Sequence, residues 1–111
     1  LPVTVLPYDD RVEIPEGLNP DVANSNHPIL NSLETEWPIL LGYNRLGRRE
    51  EGDILLTFGE DPILATRQYQ QGRTLAFASD CAPHWGSKEF TEWQAYPTFW
   101  NNAVNWLIGA I

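Results

Sequence analysis

The segment Asp80-Cys81-Ala82-Pro83-His84-Trp85-Gly86 holds the chain's only cysteine, one of its two histidines and a carboxylate. Three arrangements suit that grouping. Cys81 could act as a nucleophile with His84 as its base, because the thiolate is the attacking form and needs a nearby base or positive field. Asp80 and His84 could instead form an acid/base pair, the carboxylate fixing the imidazole tautomer. The third arrangement is structural. Asp80 then caps a turn through its side-chain oxygen, Cys81 packs as a small hydrophobe, and His84 is a loop histidine with its polar atoms satisfied. The residues alone leave all three open. The other histidine, His27, precedes Pro28 and reads as a helix-start residue. No glycine-rich phosphate loop, Gly-x-Ser-x-Gly or Gly-x-Cys-x-Gly elbow, Cys-x-x-Cys or His-Glu-x-x-His occurs. One cysteine and two histidines do not furnish the four ligands of a structural zinc site, so no metal is expected.

The elements around this segment must deliver it to a useful place. Residues 73–79 read as a strand, apolar or small on both faces, which predicts burial on both sides in the middle of an α/β sheet. Ligands bind open α/β sheets beyond the carboxyl ends of the strands, so residues 80–86 stand where a site belongs. Residues 53–58 and 63–69 predict two more strands. Gly59-Glu60-Asp61-Pro62 and Gln70-Gln71-Gly72 supply the antiparallel turns. Residues 97–111 predict a helix, with Pro97 in its first turn. Its expected inward face is Trp100, Ala103, Val104, Leu107, Ile108 and Ile111, with Asn101, Asn102 and Asn105 opposite.

The first half is less regular. Residues 3–8 and 11–14 read as brief strands, and Pro15-Glu16-Gly17-Leu18-Asn19-Pro20 as a turn. Residues 29–33 predict a short helix capped by Asn26 or His27, with Pro28 in the first turn. Residues 39–44 form an apolar stretch running into a loop. Arg45 to Gly52 reads as a solvated turn; an anion-binding arginine cluster is disfavoured because Glu50, Glu51 and Asp53 offset its field. Trp85, Trp93 and Trp100, with Phe90, Tyr96 and Phe99, line either an aromatic pocket or the core.

Composition narrows the function classes. The 111 residues are about one small domain, and 42% of them are hydrophobic. Fifteen acidic against seven basic residues give a net charge of −8. That argues against nucleic acid, whose phosphates call for a basic face, and against an anionic membrane surface. No apolar run approaches the roughly 18 residues of a spanning helix. A single cysteine makes no internal disulfide. The chain starts at Leu1 and contains no methionine, so the expectation is a fragment of something larger.

Four stretches, in order, carry a resemblance. They are His27-Pro28-Ile29-Leu30, then Trp37-Pro38-Ile39-Leu40-Leu41-Gly42-Tyr43-Asn44, then Gly72 to Gly86, then Phe99-Trp100 leading into the last helix. Together they resemble the C-terminal half of the glutamine amidotransferase-like proteins, uncharacterised bacterial members of the class I glutamine amidotransferase-like superfamily. The resemblance implies a cytoplasmic protein with the C-terminal part of a flavodoxin-like three-layer α/β sandwich. An antiparallel excursion would precede its last sheet strand and a C-terminal helix would follow. Residues 1–111 would then be the C-terminal portion of a single domain. The missing N-terminal half, which would hold the nucleophile elbow, is the expected partner, and a homo-oligomer is a further expectation. Working members of the superfamily place a His-x-Glu pair after the last sheet strand. Here Asp80-Cys81-Ala82 stands in that place, the histidine comes at His84, and no His-x-Glu pair is present. The resemblance thus implies a piece without standard glutaminase activity by itself, requiring no cofactor, with a small-ligand or partner site at residues 80–86. The candidate catalytic residues are Asp80, Cys81 and His84, and the candidate ligand contacts are Tyr43, Asn44 and Trp85. Two alternatives stand beside it: part of an active hydrolase or amidotransferase whose nucleophile lies in the missing N-terminal half, and a non-catalytic interaction module that uses its tryptophan-rich C-terminal end.

Overall fold

The computed structural model describes residues 1–111. Eight strands and two helices follow one another along the chain. They are β1 (Val3–Val5), β2 (Arg11–Leu18), β3 (Asp21–Val22), β4 (Leu40–Asn44), β5 (Leu46–Arg48), β6 (Asp53–Phe58), β7 (Asp61–Tyr69), β8 (Gly72–Phe77), α1 (Lys88–Thr91) and α2 (Tyr96–Leu107). β3, β6, β7 and β8 form one sheet in that order, while β1 pairs with β5 and β2 with β4. Every one of these pairings is antiparallel.

The β6–β7–β8 meander follows from its sequence. Leu55, Leu56, Ile63 and Leu64 are fully buried, and two short polar turns reverse the chain. Gly59 takes φ +59° at the first turn, a conformation that costs glycine no Cβ clash. Register is regular from Leu64↔Phe77 to Tyr69↔Gly72. The strand buried on both faces is β7, whose Pro62 to Thr66 are all inaccessible. β8 lies at the margin of the sheet and is only half-buried. The expectation of β8 in mid-sheet is therefore corrected: its outer edge has no partner among these residues. The sheet is also antiparallel, so the end of β8 is not part of a common carboxyl rim. Strands dominate and the helices are few, an arrangement compatible with an α/β fold.

Other expectations need correction. Residues 29–33 form successive turns rather than a helix. The His27 ring takes the Ile29 N–H, and the bonds that follow, such as Leu30 N–H to His27 C=O, span three residues instead of four. β2 runs on through the expected turn to Leu18, with a register shift between Glu13 and Leu18 that accommodates Pro15 and Gly17. Leu46–Arg48, read as solvated turn, is β5, because β1 pairs with it across Val3↔Arg48 to Val5↔Leu46. Residues 6–8 lie outside β1.

α2 begins at Tyr96 and ends at Leu107, short of the expected Ile111, with Gly109 at φ +79° just beyond its end. Arg73 of β8 helps finish it, donating to the carbonyls of Trp106 at 2.6 Å and Ile111 at 2.7 Å. The inward face is Phe99, Ala103 and Trp106, with Trp100 packed against the core, so only Ala103 and Trp100 of the expected face turn inward. Val104, Leu107, Ile108 and Ile111 are exposed instead. The core joins Phe99 and Phe90 to Trp37, with Trp37 edge-on to Phe99 at 4.9 Å. Burying such side chains contributes about 1.5–3 kcal/mol each. Trp85, Trp100 and Tyr96 surround this core rather than lining a pocket, since none of the three cavities includes them.

Candidate active-site loop

Residues 80–86 make a tight loop whose two ends are stitched to β4. At its entry, Asn44 N–H donates to Ala78 C=O at 2.8 Å and Ser79 Oγ donates to Gly42 C=O at 2.7 Å. At its exit, Leu41 N–H donates to Trp85 C=O at 2.8 Å and Leu40 bridges Gly86. Two glycines permit the closeness. A Cβ at Gly42 would stand 2.6 Å from Trp85 Nε1, so the buried indole lies directly on the β4 backbone. A Cβ at Gly86 would stand 2.5 Å from Ala82 O and 2.9 Å from Asp80 O, inside the loop's own ring. Ser87 then starts α1, its Oγ accepting from Phe90 N–H at 3.0 Å and donating to Ile39 C=O at 2.5 Å.

The polar centre of the loop is a single carboxylate oxygen. Asp80 Oδ2 lies 2.9 Å from His84 Nδ1 and accepts from Trp85 N–H at 3.1 Å. The hydrogen bond to His84 holds the Asp80 carboxyl below its ordinary pKa; the Trp85 N–H works in the same direction and partial burial opposes them. With Nδ1 donating to Asp80, the imidazole has its other nitrogen, Nε2, free to accept. The His84 side chain is 70% exposed, so that nitrogen is open to a reactant. His84 also adopts φ +131°, a conformation non-glycine residues rarely take, and its ring stacks on Trp85 at 5.4 Å.

Among the expected catalytic residues, the structure joins Asp80 to His84 and leaves Cys81 apart. Cys81 is exposed, and its backbone carbonyl accepts from the Tyr96 hydroxyl at 2.5 Å. The expected ligand contacts are mostly engaged within the fold. Tyr43 is buried and its hydroxyl donates to Asp61 Oδ2 at 2.6 Å. Burial, with the Asp61 hydrogen bond second, pushes its pKa up to about 12. The Asn44 amide donates to Asp10 Oδ1 at 2.9 Å. Trp85 is the loop's buried floor. Tyr96 entered the sequence reading only as one of several aromatics; nothing in its type or spacing marked its hydroxyl as a contact to the loop.

The cavities lie elsewhere. The largest, about 560 Å³, opens at the other end of β8 beside His27, Asp53, Thr66, Arg73 and Trp106. No group of three or more histidine, cysteine, aspartate or glutamate side chains is arranged to hold a metal ion.

Comparison with known proteins fits this architecture. A family model described as "Putative glutamine amidotransferase" matches residues 1–109. No curated protein matches the sequence. The cytoplasmic protein STM3548 of Salmonella typhimurium aligns with a TM-score of 0.90 at 42% identity, over 96% of this chain and 43% of its own. The cytoplasmic protein STM1381 of Salmonella typhimurium LT2 aligns with a TM-score of 0.90 at 43% identity, again over 96% and 43%. The chain thus spans less than half the length of these solved structures. The match across nearly all of its residues shows that the chain belongs to the glutamine amidotransferase-like family.

Proposed function

We propose that residues 80–86 carry the acid/base half of an amide-hydrolysing or acyl-transfer site, whose nucleophile comes from chain outside residues 1–111. The observation that carries this reading is the 2.9 Å contact between Asp80 Oδ2 and His84 Nδ1, with His84 exposed. A carboxylate on Nδ1 fixes the tautomer in which Nε2 accepts a proton, and it stabilises the imidazolium that results. Nε2 then takes the proton of an attacking hydroxyl, thiol or water and returns it to the leaving nitrogen. Cys81 is not the attacking group in this scheme, because its thiol makes no hydrogen bond to His84, whose Nδ1 is engaged by Asp80.

Two further observations support completion by additional chain. The solved neighbours are more than twice the matched length, α2 leaves Val104, Leu107 and Ile108 exposed, and β8 has an unpaired edge. A flavodoxin-like sandwich with the missing half laid on these surfaces would bring its residues toward the loop. Both neighbours are described as cytoplasmic, which supports the same compartment for this chain.

The test uses the longer protein containing this chain. Release of ammonia is measured from L-glutamine, L-asparagine and simple primary amides. His84→Gln and Asp80→Asn are each expected to lower kcat by about 100-fold or more. Absence of ammonia release from all of these amides, or release undiminished in His84→Gln, overturns the reading.

A further inference from the structure

The loop's geometry is held from outside by one side chain that the acid/base chemistry does not itself use. Tyr96 is the first residue of α2. Its ring is fixed edge-on against the fully buried Phe90, centroids 5.1 Å apart at 74°, and against Trp100 at 6.2 Å and 69°. From that anchored ring the hydroxyl donates to Cys81 C=O at 2.5 Å, fifteen residues upstream. Only Ala82 and Pro83 separate Cys81 from His84. Proline fixes its own φ and restricts the residue before it, so this connection is stiff. His84, at φ +131°, holds a sparsely populated conformation that persists only where the surroundings over-determine it. On one side it is held by Asp80, and on the other by the short connection to Cys81.

We propose that Tyr96 is a positioning residue for the Asp80–His84 pair: its hydroxyl, carried by the aromatic core, fixes the Cys81 carbonyl and so keeps His84 in the conformation that aims Nδ1 at Asp80. This rests on the reading of the pair as an acid/base half-site. It adds that the base is set by the first turn of α2 rather than by the loop alone. Any shift of that turn moves the base with it.

Tyr96→Phe removes the donor and keeps the ring, so the core contacts survive. In the longer protein, carbon NMR of the Asp80 carboxyl reads the pair, and ammonia release reads the reaction. Without the clamp, the Asp80 titration is expected to move up toward the ordinary carboxylate range while the thermal midpoint stays close to that of the parent. kcat is expected to fall at least about tenfold with KM unchanged, as for loss of a transition-state interaction alone. An Asp80 titration identical in the parent and Tyr96→Phe overturns the clamp. If the titration moves and ammonia release does not, the clamp stands and the hydrolytic reading falls.

Discussion

His27 and His84 carry the same ring into opposite situations. His27 is buried, its Nδ1 accepts from Ile29 N–H at 3.2 Å, its Nε2 meets Thr66 Oγ1 at 3.2 Å, and its ring lies 5.1 Å from Trp106. Burial lowers its pKa below 6.5; Asp53 pulls the other way and Arg73 adds to the lowering. The unfolded chain therefore takes up a proton here that the folded chain refuses. Stability from this group is complete above about pH 6.5 and is lost as pH falls through the folded value. His27→Gln is expected to flatten the acid side of a plot of urea midpoint against pH; an unchanged slope means another group sets it. For Asp80 the lowered pKa has its own window. Its contribution is present above the ordinary carboxylate value and disappears as pH falls through the lowered one. The pair is exposed, so His84→Ala is expected to cost no more than about 1 kcal/mol in a denaturant melt. A loss above roughly 2 kcal/mol would show that His84 holds the fold. Gly86→Ala should be harsher on the loop, because its Cβ would meet backbone oxygens at 2.5 and 2.9 Å that have no rotamer to change. The Asp80–His84 contact should be lost in that variant, visible as an Asp80 titration at the ordinary carboxylate value.

At the scale of elements, α2 shows where sequence patterns mislead. Its helical period was legible, but it carries two apolar stripes, and period alone does not say which one faces the sheet. Phe99, Ala103 and Trp106 do so, at spacings of four and three, while Asn102 uses its amide to reach Ile29 C=O at 3.1 Å. Phe99→Ala is expected to cost about 3–5 kcal/mol, as for an aromatic removed from a packed core. Ile108→Lys, on the outward stripe, should change the stability of residues 1–111 by less than about 0.5 kcal/mol. If additional chain covers that stripe, as proposed above, the same substitution in a longer protein containing residues 1–111 should destabilise it. Comparing the two melts separates these outcomes. The three meander strands were legible because buried β-formers alternate with glycine-bearing turns. β5 was not, since Leu46-Gly47-Arg48 has a loop's composition and becomes a strand only when β1 arrives to pair with it. The short helix expected at 29–33 does not form because, after His27 takes the Ile29 N–H, the backbone bonds Leu30 N–H to His27 C=O and Leu33 N–H to Leu30 C=O close over three residues rather than four. In residues 80–86 the sequence showed a cysteine, a histidine and a carboxylate close together, from residue types alone. Which pair forms was not legible, because that depends on Gly42 and Tyr96 outside the loop and on Gly86 within it.

At the scale of the molecule, the chain is a slab of 39 × 35 × 20 Å. Its surface includes the exposed Val104, Leu107 and Ile108 and the free edge of β8. Unpaired strand edges and apolar patches favour association. Residues 1–111 alone are therefore expected to self-associate in light scattering. A monodisperse monomer would mean that these surfaces are tolerated in water. The net charge of −8 opposes such association by repulsion, so added salt should strengthen it.

The pairing of β1 with β5 has a consequence for how the chain comes together and comes apart. β6, β7 and β8 meet across reversals of two residues, whereas Val3 finds Arg48 across most of the first half of the sequence. Closing the longer loop sacrifices more chain entropy for only three residues of ladder. The meander should zip early and β1 should seat late. In hydrogen exchange the amides of β1 should lose protection first on warming, and those of β7 last.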